Sequence, residues 1–488
     1  MGRTVGVLAL LTLASGCVSM DAFSNDPSLE AVRPSDNPVT VETVSRNDRL
    51  AAVARAQHPR ILATYGGEYS DQKLERMVAK AIGALTLDPE NPAQTFRITI
   101  LNSPSINAFA LPGGYLYITR GLLALANDSA ELAAVISHEM AHVTANHGIQ
   151  RQQREAEEVL ASRVVSDVLN GDQNAKLALI RGKLRLAQFS RNQELEADAI
   201  GIRALARAGY DGFAAARFLQ SMQAYTDFRS VSGADDPSLD FLASHPTAPQ
   251  RFELAQRHAR QFGTPGTGVR DRDSFLAGID GLLYGDTPEE GYVRGRTFLH
   301  PGLGVSFTVP EGFTIDNSAE AVTATGPGDI AVRFDGVTID RNTTLASYLR
   351  SGWVAGLDNA SVTETSINGH EAATARARVD SWEFQVTVVR AGEQVYRLLT
   401  AAPLASAALP SVAGSVGSSF RVLTAEEKAN LKPLRIRILT VQPGQTVASL
   451  AAQMEGVDRK LDLFRMLNAL PTGATLTPGD KVKIVTDR

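Results

Sequence analysis

His138-Glu139-Met140-Ala141-His142 sets two imidazoles four positions apart with a carboxylate beside the first. On an α-helix four residues turn the chain by about 40° beyond a full circle, so both rings leave one face. Neutral histidine nitrogens at that spacing suit tetrahedral zinc. Glu139 stands about 100° from His138. From there it can reach water activated by the metal and take its proton without displacing a ligand. The segment is predicted helical: Asp128 and Glu131 form a capping pair, and Leu132, Val135, Ile136 and Val143 supply a buried stripe. The plain alternative is a helix carrying two surface histidines. Chance alone gives such a pattern on the order of one time in a hundred in a chain of this composition. Only eight of the 488 residues are histidine.

The third ligand must come from elsewhere. Ala145 and Gly148 occupy the places where a metzincin needs glycine and histidine. His147 follows His138 by nine residues, about 180° around a straight helix. It is expected to be structural, or to support a ligand if the helix bends. A second helix is expected over Ser190-Arg191-Asn192-Gln193-Glu194-Leu195-Glu196-Ala197-Asp198. Glu194 and Asp198 share a face there, whereas Glu196 points about 200° away from Glu194. One of the two carboxylates can bind zinc while the other orients a ligand imidazole. A solvated charged face is the bland reading. Against it, Asp198 lies among Leu195, Ala197, Ala199 and Ile200.

Asn107-Ala108-Phe109-Ala110-Leu111-Pro112-Gly113-Gly114, Thr119-Arg120-Gly121-Leu122, the His138–His142 motif and Glu194-x-x-x-Asp198 together resemble one group of gluzincins. These are the metallopeptidases of the CAAX prenyl protease/HtpX group with their soluble periplasmic relatives. The resemblance covers about residues 46–260. It implies a mainly α-helical peptidase domain with a small β-sheet and one zinc ion per chain. It further implies that His138, His142 and Glu194 are ligands, Glu139 is the base and Asp198 supports a ligand histidine. The strand Tyr115, Leu116, Tyr117, Ile118 and Thr119 is implied to be an edge to which substrate adds in extended form. The transmembrane helices of the integral-membrane members are missing, so processing of prenylated proteins inside a bilayer is not expected. In soluble relatives a histidine at the place of His245 approaches the zinc, as a removable fourth ligand or as an imidazolium facing the oxyanion. A loop histidine held by Pro246 is the alternative, and Tyr210 is a lesser candidate for the oxyanion role.

The rest of the chain sets the surroundings. Hydrophobic residues make up 44% and charged residues 21%, with a formal net charge of -5. That is a globular composition with no basic patch, so nucleic acid is not an expected partner. Residues 1–16 read as a signal peptide, with the apolar run Val5–Leu13 too short for a permanent span. Leu13-Ala14-Ser15-Gly16-Cys17 resembles a bacterial lipobox, although Ala14 stands where leucine is usual. It implies lipidation of Cys17, the one thiol of the chain, and hence a membrane anchor. Val18 after the cysteine favours the outer membrane. Residues 17–45 read as a tether, 46–262 as the peptidase domain and 263–294 as a linker. Residues 295–425 read as an α/β sandwich with helices on one face of an antiparallel sheet, resembling PsbP-like domains. Residues 434–488 resemble a LysM module, a βααβ unit. Glycan binding there and simple packing on the sandwich are equal alternatives, with peptidoglycan the candidate partner.

These features lead to a zinc endopeptidase of the bacterial cell envelope, acting on misfolded or unassembled envelope proteins. An envelope assembly or binding lipoprotein with low or gated peptidase activity is the competing expectation. A peptidoglycan hydrolase rests only on the LysM-like segment.

Overall fold

The computed structural model describes residues 49–86, 96–111, 113–151, 153–155, 173–230, 245, 249–317 and 321–487. The signal-peptide, lipobox and tether readings, Cys17 included, lie outside them. No helix among the described residues is long and apolar enough to cross a membrane.

The first region is helical: α1 (Arg49–Thr64), α2 (Gln72–Thr86), α3 (Arg120–Leu125), α4 (Ser129–Thr144), α5 (Gln173–Arg207), α6 (Ala214–Ser230) and α7 (Pro249–Ala259). Asp128 caps α4, accepting from the Glu131 amide at 2.8 Å. The Glu131 side chain reaches back one residue further than a capping box does, accepting from the Asn127 amide at 2.9 Å. Every residue from Ser129 to Glu139 is buried, so α4 is the central helix of the region rather than a one-sided surface helix.

Three strands accompany the helices: β1 (Arg97–Leu101), β2 (Ala108–Leu111) and β3 (Tyr115–Thr119). The order is β1-β3-β2, with β3 parallel to β1 and antiparallel to β2. This corrects the expectation that Tyr115, Leu116, Tyr117 and Ile118 form an edge. They are the central strand, buried throughout, with backbone groups engaged on both sides. A substrate strand therefore cannot add there. The outer side of β1 is met by residues 67–69, through Asn102 N to Gly67 O and Tyr69 N to Ile100 O. The edge left among the described residues is β2, which packs beside α4. Ala108–Leu111 is four residues of small and apolar type, too short a run to declare a period in the sequence.

Residues 292–422 form two antiparallel sheets. One has seven strands and the other four. Apolar residues of both, including Phe298, Phe307, Val332, Phe334 and Leu398, fill the space between them. The helix Leu409–Ser419 joins this core, whereas the helix Leu345–Leu349 covers the opposite face of the large sheet over Ala373, Ala375, Val386 and Val388. The helices thus lie on both faces, not on one as expected. The central strands Trp382–Ala391 and Gln394–Pro403 explain it: both bury apolar residues at adjacent positions, Val388 with Val389 and Val395 with Tyr396, so both faces need cover.

The C-terminal segment follows a βααβ order, with strands Leu434–Thr440 and Lys481–Thr486 paired antiparallel around helices Val447–Ala451 and Lys460–Leu467. It is not an appendage. Ile436, Val441, Leu450, Phe464, Ile484 and Val485 belong to the same apolar core as Leu74, Val78, Leu122, Leu132, Ile136 and Met222 of the helical region. The stretch read as a linker takes part as well. Phe275, Leu276 and Ile279 of α8 (Arg272–Ile279) are fully buried in that core, and β4 (Leu283–Tyr284) adds a third strand to the C-terminal pair. Lys483 is wholly buried and donates from Nζ to the carbonyls of Ala124, Leu125 and Ala126 at 2.8, 3.0 and 2.9 Å. These are open acceptors where α3 ends, just ahead of the α4 cap. Burial pulls the ammonium pKa down to about 7, opposed by the nearby Glu131 and Asp128 carboxylates. Arg459 adds a bond to the Phe228 carbonyl at 2.6 Å and lies over that ring.

Deleting residues 434–488 should therefore abolish the cooperative thermal unfolding of the peptidase region, and Lys483→Ala should cost about 1–3 kcal/mol for the stranded carbonyls. Circular-dichroism melts check both. A truncated chain that melted like the full one would show the segment to be a separable module.

Candidate metal centre

Two helices build the site. α4 supplies His138, Glu139 and His142; α5 supplies Glu194 and Asp198. They approach closely because α5 carries Gly201, where a Cβ would come within 3.0 Å of the His138 backbone nitrogen and 3.1 Å of its Cα. Gly201 lies three residues past Asp198 and seven past Glu194, so the face that bears the carboxylates is the face that touches α4. His245 comes from beyond α6.

One ligating atom each from His138, His142, Glu194 and His245 lies within 4.8 Å of all the others. His138 Nε2 is 3.1 Å from His142 Nε2 and 3.4 Å from Glu194 Oε2. His142 Nε2 is 3.4 Å from Glu194 Oε1. His245 Nδ1 lies 3.0 and 3.1 Å from the two Glu194 oxygens and 3.3 Å from His138 Nε2. Ligands about 2.0–2.1 Å from a tetrahedral zinc stand about 3.3–3.4 Å apart. The observed separations match that spacing. Charge points the same way: Glu139, Glu194 and Asp198 are all buried, and Arg251, itself buried, brings a single permanent positive charge to them. A divalent cation fits both the donors and the charge.

The structure brings together the residues singled out in the sequence. His138 Nδ1 meets Asp198 Oδ1 at 2.9 Å, leaving Nε2 for the cluster. Asp198 is held in turn by Arg251, whose Nε and Nη2 each donate to one of its oxygens at 2.8 Å. Arg251 Nη1 also lies 3.1 Å from Glu194 Oε2 and donates to the His245 carbonyl at 3.3 Å. The signal for Arg251 in the sequence is an arginine on a short helix that follows a candidate histidine, which is too common to weigh. Tyr210 is placed differently: its backbone pairs with Val269, and it does not join the cluster.

His147 is the larger surprise. α4 ends at Thr144, and Asn146 adopts a left-handed conformation with φ 56°. That turn swings His147 back toward the site instead of half a circle away. Its Nδ1 stands 3.0 Å from His142 Nδ1.

Burial weighs against charge at every member of the site. It pushes the Glu139 carboxyl up, despite the nearby His245 and His138. Glu139 Oε1 is buried with no hydrogen-bond partner among the described residues; its nearest ionic neighbour is His245 Nε2 at 3.5 Å. A buried carboxylate oxygen with nothing to accept from is ready for a proton. For His138 burial disfavours the imidazolium, but hydrogen bonds to Asp198 and Glu194 outweigh it and push the pKa up to about 10. Burial opposes ionisation of Asp198 too, yet Arg251 takes its pKa down to about 2. Burial, then the charges of His138 and His245, hold His142 well below the ordinary histidine value.

Two imidazoles and a carboxylate converge on one point beside the buried Glu139 carboxylate, a donor set that fits zinc with a proton acceptor next to it. The comparisons agree. Residues 68–259 match the model of Peptidase family M48. The chain is 31% identical to the Beta-barrel assembly-enhancing protease of Yersinia pestis, over 45% of this chain and 44% of that protein. It is 29% identical to the protein of the same name in Escherichia coli strain K12, over 40% and 41%. The Mitochondrial metalloendopeptidase OMA1 of Arabidopsis thaliana is 36% identical over 33% of this chain and 31% of that protein. The chain thus spans less than half the length of these relatives. Zinc is the metal of this family, and the His138, His142, Glu194 and His245 cluster fits it.

Proton and cation compete for His138, where the Asp198 and Glu194 carboxylates favour the proton against the effect of burial. His138 has its pKa raised, so the proton competes most strongly at low pH. Zinc affinity should therefore rise as pH is raised from 6 to 8, by up to about tenfold per unit, with protons released on loading. Chelator competition at several pH values measures this. A flat affinity would contradict that competition.

Proposed function

We propose that the protein is a zinc-dependent endopeptidase of the bacterial cell envelope that cleaves misfolded or unassembled envelope proteins. In this reading His138, His142 and Glu194 hold the ion, Asp198 orients His138 and Glu139 is the general base. The envelope setting is supported by the bacterial relatives, which are named as β-barrel assembly-enhancing proteases. An anchor at a lipidated Cys17 and a place at the outer membrane belong to the same proposal.

The observation that carries the activity is the Glu139 side chain, buried beside the cluster with Oε1 unpartnered. Zinc, when present, polarises the scissile carbonyl and acidifies water. The chain's own part is to receive the proton at Glu139 Oε1 and deliver it to the leaving amine. Burial, by raising the Glu139 pKa, makes its carboxylate a stronger acceptor and its acid form a usable donor. Arg251 and Asp198 keep His138 Nδ1 engaged, so that ring cannot turn away. An extended substrate would add to β2, the edge strand next to α4, where its main chain finds partners that β3 cannot offer. Glu139→Gln should leave zinc content at about one per chain and reduce casein cleavage by about a hundredfold or more. Cleavage retained by that variant would remove the enzymatic reading.

A second reading, in which activity is gated, has its own support. His245 presents Nδ1 at hydrogen-bond distance from Glu194 and His138, the position of a fourth ligand. An imidazole there takes the corner that a reacting carbonyl or water needs. This geometry favours the gate over the oxyanion role that the sequence left open. His245→Ala should therefore raise the rate of casein cleavage while zinc is retained. A fall in the rate with zinc retained would assign His245 to catalysis instead. Glycan binding by residues 434–488 is a weaker proposal, because the segment's apolar residues are already spent on the peptidase core.

A further inference from the structure

The two metal-facing histidines of α4 are supported differently. His138 has a carboxylate directly at its Nδ1. His142 has an imidazole there, and no role has yet been given to the residues behind it. His142 turns Nε2 toward the cluster, so that nitrogen must be bare to ligate and the proton must sit on Nδ1. Among the described residues, His142 Nδ1 meets His147 Nδ1 at 3.0 Å. Two imidazole nitrogens can share one proton only if the second ring accepts, which places the His147 proton on Nε2. That atom faces Glu196 Oε2 at 3.3 Å.

We propose that His147 and Glu196 form a two-step support for His142, an imidazole and then a carboxylate, which fixes the tautomer and plane of that ligand. The inference rests on the metal reading of the cluster and extends it by two residues. Several observations favour a built arrangement over chance contact. His147 is 1% exposed although it follows the end of a helix, so its two nitrogens depend on protein partners. Asn146 takes up the left-handed turn that brings it back, a conformation asparagine tolerates better than most residues. Gln193 is buried and donates to the His147 carbonyl at 3.0 Å, pinning the backbone of the turn. The ring of His147 meets that of His142 edge-on, at 75° and 4.9 Å between centroids, which aims nitrogen at nitrogen rather than stacking the faces. Gln193, Glu194, Glu196 and Asp198 all come from one stretch of α5. A single helix thus supplies a ligand, the support of His138 and two contacts of His147.

Glu196 is 60% exposed at its side chain. Its contribution is therefore smaller than that of Asp198, and salt should weaken it. His147 is a positioning residue in this account: it touches a ligand and not the reacting groups. Removal of such a partner lowers metal affinity about 10–100-fold.

The test is zinc affinity by chelator competition, together with the visible spectrum of the cobalt-substituted protein, for His147→Leu, His147→Gln and Glu196→Ala. His147→Leu should weaken zinc binding at least tenfold and shift the cobalt bands. His147→Gln keeps an acceptor for His142 and should recover most of the affinity. Glu196→Ala, at an exposed position where folding is safe, should weaken binding a few-fold in the wild type. It should have no further effect in the His147→Leu background. Equal affinity and an unchanged cobalt spectrum in both His147→Leu and Glu196→Ala would overturn the proposal. So would a His147→Gln variant as weak as His147→Leu, which would mark a packing role. If His147→Leu does not fold, an unchanged Glu196→Ala protein overturns it alone. A wild-type chain that binds no zinc would overturn the parent reading as well, and the wild-type control tells the two failures apart.

Discussion

The close contact between α4 and α5 is the constraint on which the rest depends. A helix pair normally stands 8–10 Å apart because side chains separate the backbones. Here Gly201 removes the separating atom at His138, and the helices settle near enough for short carboxylates to reach the imidazoles. With an ordinary side chain at that position, Glu194 and Asp198 would be held back and their distances to His138 would lengthen. The surrounding core exists to hold that contact. α4 is buried over its first eleven residues, from Ser129 to Glu139, by neighbours on every side.

Burying so much charge is costly unless each group has a partner. The site meets this with a chain of pairings. Arg251 engages Asp198 through two nitrogens, Asp198 engages His138, and Glu194 is shared among His138, His142 and His245. Glu139 has the longer approach of His245 Nε2, at 3.5 Å, and no hydrogen bond at Oε1 among the described residues, which leaves that oxygen available to a proton. Nearby, Asp128, Glu131, Arg217 and Lys483 form a second buried polar group around the start of α4, with Arg217 Nη1 2.6 Å from Asp211. The C-terminal segment enters through Lys483. Its position ahead of the metal helix ties the last residues of the chain to the first turn of that helix.

Much of the site was legible in the sequence because its chemistry is local. The spacing of His138 and His142, and of Glu194 and Asp198, follows from the helical repeat, and a helix was the one structure both segments could form. What was hidden depends on contacts distant in the chain. Arg251 gains meaning only once α7 lies against α5. His147 was placed by assuming a straight helix, and one left-handed residue, Asn146, reversed the result. The family resemblance implies an edge at β3, yet the residues of a strand do not record how many neighbours it has, and β3 lies between β1 and β2. The βααβ order of the last fifty residues was readable from its turns and apolar runs. That its core is continuous with the peptidase core was not, since no periodicity records which surface a face will meet.

The central claim is that four side chains from three separate stretches of the chain hold one zinc ion at rest. X-ray absorption at the zinc edge of the purified protein tests it most directly. The account predicts one zinc per chain with a shell of about four nitrogen and oxygen ligands and no sulfur, and imidazole scattering from His138, His142 and His245. In His245→Ala the imidazole contribution should drop by a third. A site with no zinc, or a resting shell whose imidazole scattering is the same with and without His245, would contradict it.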